Sequence, residues 1–238
     1  MTRGRGGRKL YPVTAPEKRE AWRDACVARE YEARRFATPL ARLKHRRDAA
    51  LVLALLHRAR NVRSVLDLPC GTGRLLPALA GAGYRAVGAD VALEMMRAGL
   101  ALRPRGAPLV QGDAEKLPFR SAAFDAVVSL RFLFHLAPEA RRRSLAEMRR
   151  VSKDGLVVGE VRYRATWKQL GRWLRSRVGL AARYRPAAGR AEIEAELAGA
   201  GLELVELRPV SRLFSDKAFF LARPPERRRG LPAEVGWV

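Results

Sequence analysis

Cysteine and lysine are scarce in this chain, and long apolar runs are missing. Two cysteines in 238 residues, Cys26 and Cys70, are too few for a disulfide framework or for the paired Cys/His ligands of a structural zinc site. A reducing, cytoplasmic setting is therefore expected, and no metal site. No apolar stretch approaches the roughly 18 residues that cross a bilayer as a helix. The start, Met1-Thr-Arg-Gly-Arg, has no apolar segment behind it, unlike a signal peptide. Secretion and membrane spanning are thus not expected.

Lysine supplies only seven of the 47 basic residues, against 24 acidic ones, for a formal charge of +23. Such a charge points toward a polyanion or an anionic membrane surface. The dominance of arginine, together with abundant Ala, Gly, Leu and Val, is also what the codon bias of a GC-rich genome produces. With 48% hydrophobic and 30% charged residues, the chain can bury a core and is neither disordered nor collagenous.

Residues 1–16 and 223–238 are rich in Gly, Arg and Pro, and read as flexible tails. The folded body is expected over 17–222. Residues 17–36 and 40–60 read as helices, the second with Thr38 as N-cap and Pro39 at the first helical position; together, as 17–62, they suit a helical lid. From residue 63 short apolar runs begin at Ser64, Ala86, Ala107, Asp125 and Leu156, separated by helical stretches near 74–82, 93–101 and 138–151. That succession implies a doubly wound α/β fold with a mostly parallel, Rossmann-like sheet, whose ligands bind beyond the carboxyl ends of the strands. Segment 164–190 breaks the rhythm and reads as an insertion carrying Trp167, Trp173 and Tyr184. A helix from Ala191 and two late strands near 202–210 and 217–222 follow. Joined by a short connection, those strands should pair antiparallel at one sheet edge.

Val65-Leu-Asp-Leu-Pro-Cys-Gly-Thr-Gly-Arg74 is a buried strand entering a Gly-containing turn and then a helix, a geometry that lets a nucleotide-like ligand approach backbone amides. A dinucleotide motif needs a third small residue where Leu76 stands, and no phosphate-binding P-loop occurs. Asp67 beside the turn suits a ligand with a cationic amino group. Asp90 follows Asp67 by 23 residues, near the offset of a ribose-binding acid in a βαβ unit.

These residues resemble the glycine motif of class I S-adenosylmethionine (SAM)-dependent methyltransferases, and further motifs follow in order. Gly88-Ala-Asp-Val-Ala-Leu-Glu-Met-Met resembles the end of that family's second strand. Gln111-Gly-Asp-Ala-Glu-Lys-Leu-Pro-Phe is similar to its adenine-binding turn, and the stretch from Ser121 to Leu136 to its fourth strand and following loop. The branch that looks most similar is the small-molecule one typified by ubiquinone and menaquinone biosynthesis (methyltransferase type 11), and the likeness covers about 63–160. The resemblance implies SAM as cofactor, held by Asp67, Pro69, Gly71, Gly73, Asp90, Val91, Asp113, Ala114 and Ser129, with Asp90 on the ribose and Asp113 with Ala114 on adenine. Pro69 departs from the family's usual glycine and removes an amide donor.

Within that reading residues 63–163 form the SAM-binding core, and the acceptor is expected among the helical lid, the loop after the fourth strand and the insertion. Tyr31, Arg35, Phe36, Arg131, Phe132 and Trp167 are its candidate contacts, with His135 as candidate general base. A small or lipid-like, partly apolar acceptor is expected; specific nucleic acid is not, and peripheral membrane contact stays open. An RNA methyltransferase and a non-catalytic SAM-binding regulator are the alternatives. Cys70 reads as a packing residue, Met95 and Met96 as helix-face packing, and His45 and His57 as solvated positions on a basic helix.

Overall fold

The computed structural model describes residues 38–59, 61–100, 107–164, 187–211 and 215–225, together with 170, 174 and 177. Its first element is helix α1, Pro39–Arg58. Thr38 caps it with extended backbone, its hydroxyl accepting from the Ala41 amide at 3.2 Å, and Pro39 takes a position where a missing N–H costs nothing. Ala49, Val52, Leu55 and Leu56 recur at helical spacing and are buried.

The remaining order is β1 (Ser64–Asp67), α2 (Leu76–Gly81), β2 (Arg85–Asp90), α3 (Leu93–Ala98), β3 (Leu109–Gln111), β4 (Ala126–Ser129), a 3-10 turn (Leu133–His135), α4 (Pro138–Val151), β5 (Val157–Arg162), α5 (Arg190–Gly199), β6 (Glu203–Pro209) and β7 (Lys217–Arg223). They form one seven-stranded sheet in the order β3-β2-β1-β4-β5-β7-β6. The pairings from β3 to β5 are parallel, and β7 runs antiparallel to both β5 and β6. The expected doubly wound sheet with an antiparallel edge is thus present. Its strand order reverses direction between β1 and β4, where an α/β sheet opens a crevice at its carboxyl ends.

Two apolar layers cover the sheet. On one face Val52, Leu55, Leu76, Leu79, Val128, Val158 and Phe219 pack together, and on the other Leu66, Val127, Leu145, Met148, Val157, Ile193 and Phe220 do so. Strand β4 is buried throughout because it is central and covered on both faces. Element ends moved by a few residues from the sequence reading. Residues 71–75 form turns rather than helix, so α2 starts at Leu76. The last strand runs through Arg223, opposite Glu203, one residue into the expected tail.

The expected insertion has its two ends drawn together. The Ala188 amide donates to the Arg162 carbonyl, and the Arg164 amide to the Ala188 carbonyl, each at 2.9 Å. Tyr31, Arg35, Phe36, Trp167, Trp173 and Tyr184 lie outside the described residues, as do helix 17–36 and tail 1–16.

Candidate functional site: a cofactor crevice at the carboxyl ends of the strands

Strand β1 ends at Asp67, held between Gly88 of β2 and Val128 of β4. The Leu68 amide donates to the Val128 carbonyl and the Cys70 amide to the Ala89 carbonyl, so the chain stays tied to both neighbours before it turns. Gly71 and Gly73 then adopt φ of +56° and +73°, values that would strain a residue bearing a Cβ. The turn closes through Gly73 N to the Cys70 carbonyl. Pro69 sits half-buried at its entrance.

Asp90, at the end of β2, fixes this turn from the side. Its Oδ2 accepts from the Gly71 amide at 2.8 Å, and its Oδ1 from the Ala92 amide at 2.9 Å. Burial raises the Asp90 pKa, and hydrogen bonds from the Ala92, Gly71 and Val91 amides oppose that rise. The Gln111 side-chain amide donates to the Val91 carbonyl at 3.1 Å, fastening the neighbouring loop to β3. One turn further, Asp113 Oδ1 accepts from the Glu115 amide at 3.0 Å, in a local turn beside buried Ala114. Asp67, Gly71, Gly73, Asp90 and Val91 are thus gathered around the β1 and β2 ends, and Asp113 and Ala114 follow β3, whose Gln111 pairs with Asp90.

Asp67 itself is 2% exposed, and its Oδ2 has no hydrogen-bond partner. Burial, with the nearby Asp90 charge, pushes its pKa up to about 8, slightly opposed by the Arg131 guanidinium. Ser129, at the end of β4, is fully buried with an unpartnered hydroxyl oxygen. Unsatisfied buried polar atoms are costly unless a ligand or water meets them. A ligand bringing an ammonium group to Asp67 and ribose hydroxyls to Asp90 fits this donor and acceptor set. Cys70 is buried, and its thiol is held neutral by burial and by the Asp67 and Asp90 charges; that suits packing and not nucleophilic attack. Met95 and Met96 are buried as expected.

On the α1 face a charged cluster escaped the sequence reading. Lys217 Nζ of β7 lies 2.9 Å from Asp48 Oδ2 of α1 and 3.2 Å from Glu160 Oε1 of β5. Arg131, which has φ +57° just after β4, approaches Asp48 Oδ2 at 3.5 Å. His45 is not solvated as expected: it is half-buried, its Nε2 lies 3.2 Å from the Arg74 carbonyl, and burial with the Arg131 charge lowers its pKa. His57 is exposed. Glu160 was the available signal, a lone acid within the apolar run Leu156-Val-Val-Gly-Glu-Val.

Beyond β4, Phe132 packs against the core, whereas His135 is exposed at the end of the 3-10 turn, its ring 4.4 Å from that of Phe134. A cavity of about 290 Å³ opens beside this turn, lined by Leu133, Phe134, Val161, Arg162, Arg164 and Phe220 among others. Arg162 lies over the Phe134 ring at 4.5 Å and pairs with Asp216 at 2.9 Å.

Fold and crevice together define a Rossmann-like α/β domain with a ligand crevice at the carboxyl ends of its parallel strands. Residues 66–158 match the family described as Methyltransferase domain. A putative methyltransferase of Encephalitozoon cuniculi is 42% identical over 94 residues, 38% of this chain and 40% of that protein. A demethylmenaquinone methyltransferase of Mycolicibacterium vanbaalenii is 42% identical over 98 residues, 40% of this chain and 41% of that protein. The chain therefore spans about two fifths of the length of these curated relatives. Magnesium protoporphyrin IX methyltransferase from Synechocystis shares the fold with a TM-score of 0.63 at 18% identity, over 85% of this chain and 100% of that one. A putative methyltransferase of Haloferax volcanii, solved with the Trm112 activator, gives 0.59 at 20% identity, over 89% and 97%.

Proposed function

We propose that the chain transfers a methyl group from SAM to a small or lipid-like, partly apolar acceptor. The observation that carries this reading is the buried, unpartnered Asp67 Oδ2 beside a glycine turn that Asp90 holds open. The domain match over 66–158 supports the same cofactor. When bound, SAM supplies an electrophilic methyl on a sulfonium, so the protein's part is alignment and exclusion of water.

In this reading Asp67 receives the amino end of the cofactor, and Gly71 and Gly73 let the backbone come close. Pro69 shapes the entrance to the turn, and Ser129 offers its hydroxyl from the β4 end. Asp90 keeps its grip on Gly71 and Ala92 while turning its remaining lone pairs to the ribose hydroxyls. Val91, Asp113 and Ala114 border the adenine. Arg131, Phe132 and His135 face the acceptor side, with His135 as the proton acceptor and the cavity beside Phe134 taking an apolar portion. Tyr31, Arg35, Phe36 and Trp167 complete that side. The domain runs over 17–222, with 17–62 as lid and 164–190 as acceptor-side insertion.

The names of the relatives, demethylmenaquinone methyltransferases among them, support a small-molecule acceptor. RNA is less favoured. Among the described residues several surface arginines are engaged by neighbouring acids, as in Arg142 with Glu139, Arg143 with Glu115 and Arg164 with Glu192. Among the described residues no helix is long and apolar enough to cross a membrane. A cytoplasmic setting, in which Cys70 stays a thiol, belongs to the same proposal.

Methyl-labelled SAM, incubated with the purified chain and a cell extract, tests the reading. Label in the small-molecule or lipid fraction is expected; label confined to RNA or protein contradicts it.

A further inference from the structure

Among the described residues, the two most exposed large apolar side chains are Leu43, at 63%, and Leu40, at 59%. Both belong to the first turns of α1. At 100° per residue, Leu43 points directly away from the buried stripe of Asp48, Ala49, Val52, Leu55 and Leu56, and Leu40 lies beside it. Around them stand Arg42, Lys44, Arg46 and Arg47, all exposed. No acid occurs in the first turn of this helix, and its single acid, Asp48, is buried and paired with Lys217. The outer face of α1 thus offers leucines ringed by cations, where a water-facing helix would carry polar residues.

We infer that this half of α1 is a docking surface for an anionic lipid bilayer, with Leu40 and Leu43 entering the headgroup region and the surrounding cations meeting lipid phosphates. Leucine at the centre with Arg and Lys at the flanks is the pattern of an interfacial helix, and the basic flanks complement the negative potential of such a membrane. Nucleic acid would use the same cations but has no use for two protruding leucines. The location has a consequence for the crevice. On the inner side of the same helical turns His45 touches the Arg74 carbonyl of the glycine turn, so a docked bilayer lies about one helix diameter, ~10 Å, from the cofactor loop. The inference goes beyond methyl transfer and stands without it.

The test is sedimentation of the full chain with vesicles of pure phosphatidylcholine and with vesicles containing one third phosphatidylglycerol, at near-physiological salt. Binding to the anionic vesicles is expected, with an affinity that falls roughly tenfold or more in Leu40→Gln/Leu43→Gln. Lys44→Gln/Arg46→Gln should weaken it and flatten its salt dependence. Both pairs are exposed, so unchanged circular dichroism and thermal unfolding are expected of the variants. Absence of vesicle binding overturns the inference. So does binding that ignores the leucine substitutions, or RNA binding that displaces vesicles and is equally indifferent to those leucines, since each marks a purely electrostatic surface.

Discussion

The backbone amide of Gly71 donates a 2.8 Å hydrogen bond to Oδ2 of Asp90. One buried carboxylate therefore joins the turn after β1 to the end of β2, and the same group stands where the ribose of a nucleoside cofactor is expected. Asp90→Ala should remove the carboxylate acceptors of two backbone amides, Gly71 and Ala92, together with the proposed ligand contact. Its affinity for S-adenosylhomocysteine should fall by about 1–3 kcal/mol, the cost of stranding such donors, and its thermal midpoint should drop. Asp90→Asn, which keeps an acceptor oxygen, should lose less. Titration calorimetry of the two variants checks the order.

Asp67 supplies a proton-linked signature. Its pKa is raised to about 8 by burial and the Asp90 charge, so at pH 6.5 it is protonated in the free protein. An arriving ammonium group favours the carboxylate, and binding should expel a proton. The binding enthalpy should then vary with the ionisation heat of the buffer in the wild type and vary less in Asp67→Asn. The stability of the free protein follows the same linkage. The folded pKa lies above the unfolded value of 3.8, so the folded state binds more protons between about pH 4 and 8. Asp67 thus makes stability fall as pH rises through that window, and Asp67→Asn should flatten the decline in unfolding midpoint.

Lys217 joins α1 to the sheet through Asp48 and Glu160, carboxylates that are 4% and 1% exposed. Lys217→Met would leave both without their ammonium. A loss of roughly 3–5 kcal/mol in unfolding free energy is expected, as for breaking a buried ion pair from one side. Urea denaturation measures it. Lys217→Arg, which keeps the charge, should recover part of the loss.

His135 is exposed at the end of the 3-10 turn, and the proposed function makes it the proton acceptor. His135→Gln should lower methyl transfer while leaving S-adenosylhomocysteine affinity within about 0.5 kcal/mol. A parallel fall in both would move His135 out of the acceptor role.

Most of the sheet was legible because its order is written in local patterns. The runs at Ser64, Ala86 and Asp125 became β1, β2 and β4, and Thr38-Pro39 became the cap of α1. The crevice was legible for a similar reason: Asp67, Gly71 and Gly73 are neighbours in sequence, and Asp90 sits at a βαβ offset. The Asp48–Lys217–Glu160 cluster was not, because its members come from α1, β7 and β5 and meet only when the last strand, β7, inserts antiparallel between β5 and β6. His45 was misjudged for the same cause. Its basic sequence surroundings suggest solvent, but the turn at Arg74 covers it from 29 residues away.

The most direct measurement is calorimetric titration of the full chain with S-adenosylhomocysteine. Micromolar-scale affinity, weakened in Asp90→Ala and proton-linked through Asp67, is the predicted result. A wild-type protein that binds neither S-adenosylhomocysteine nor SAM would contradict the account at its root.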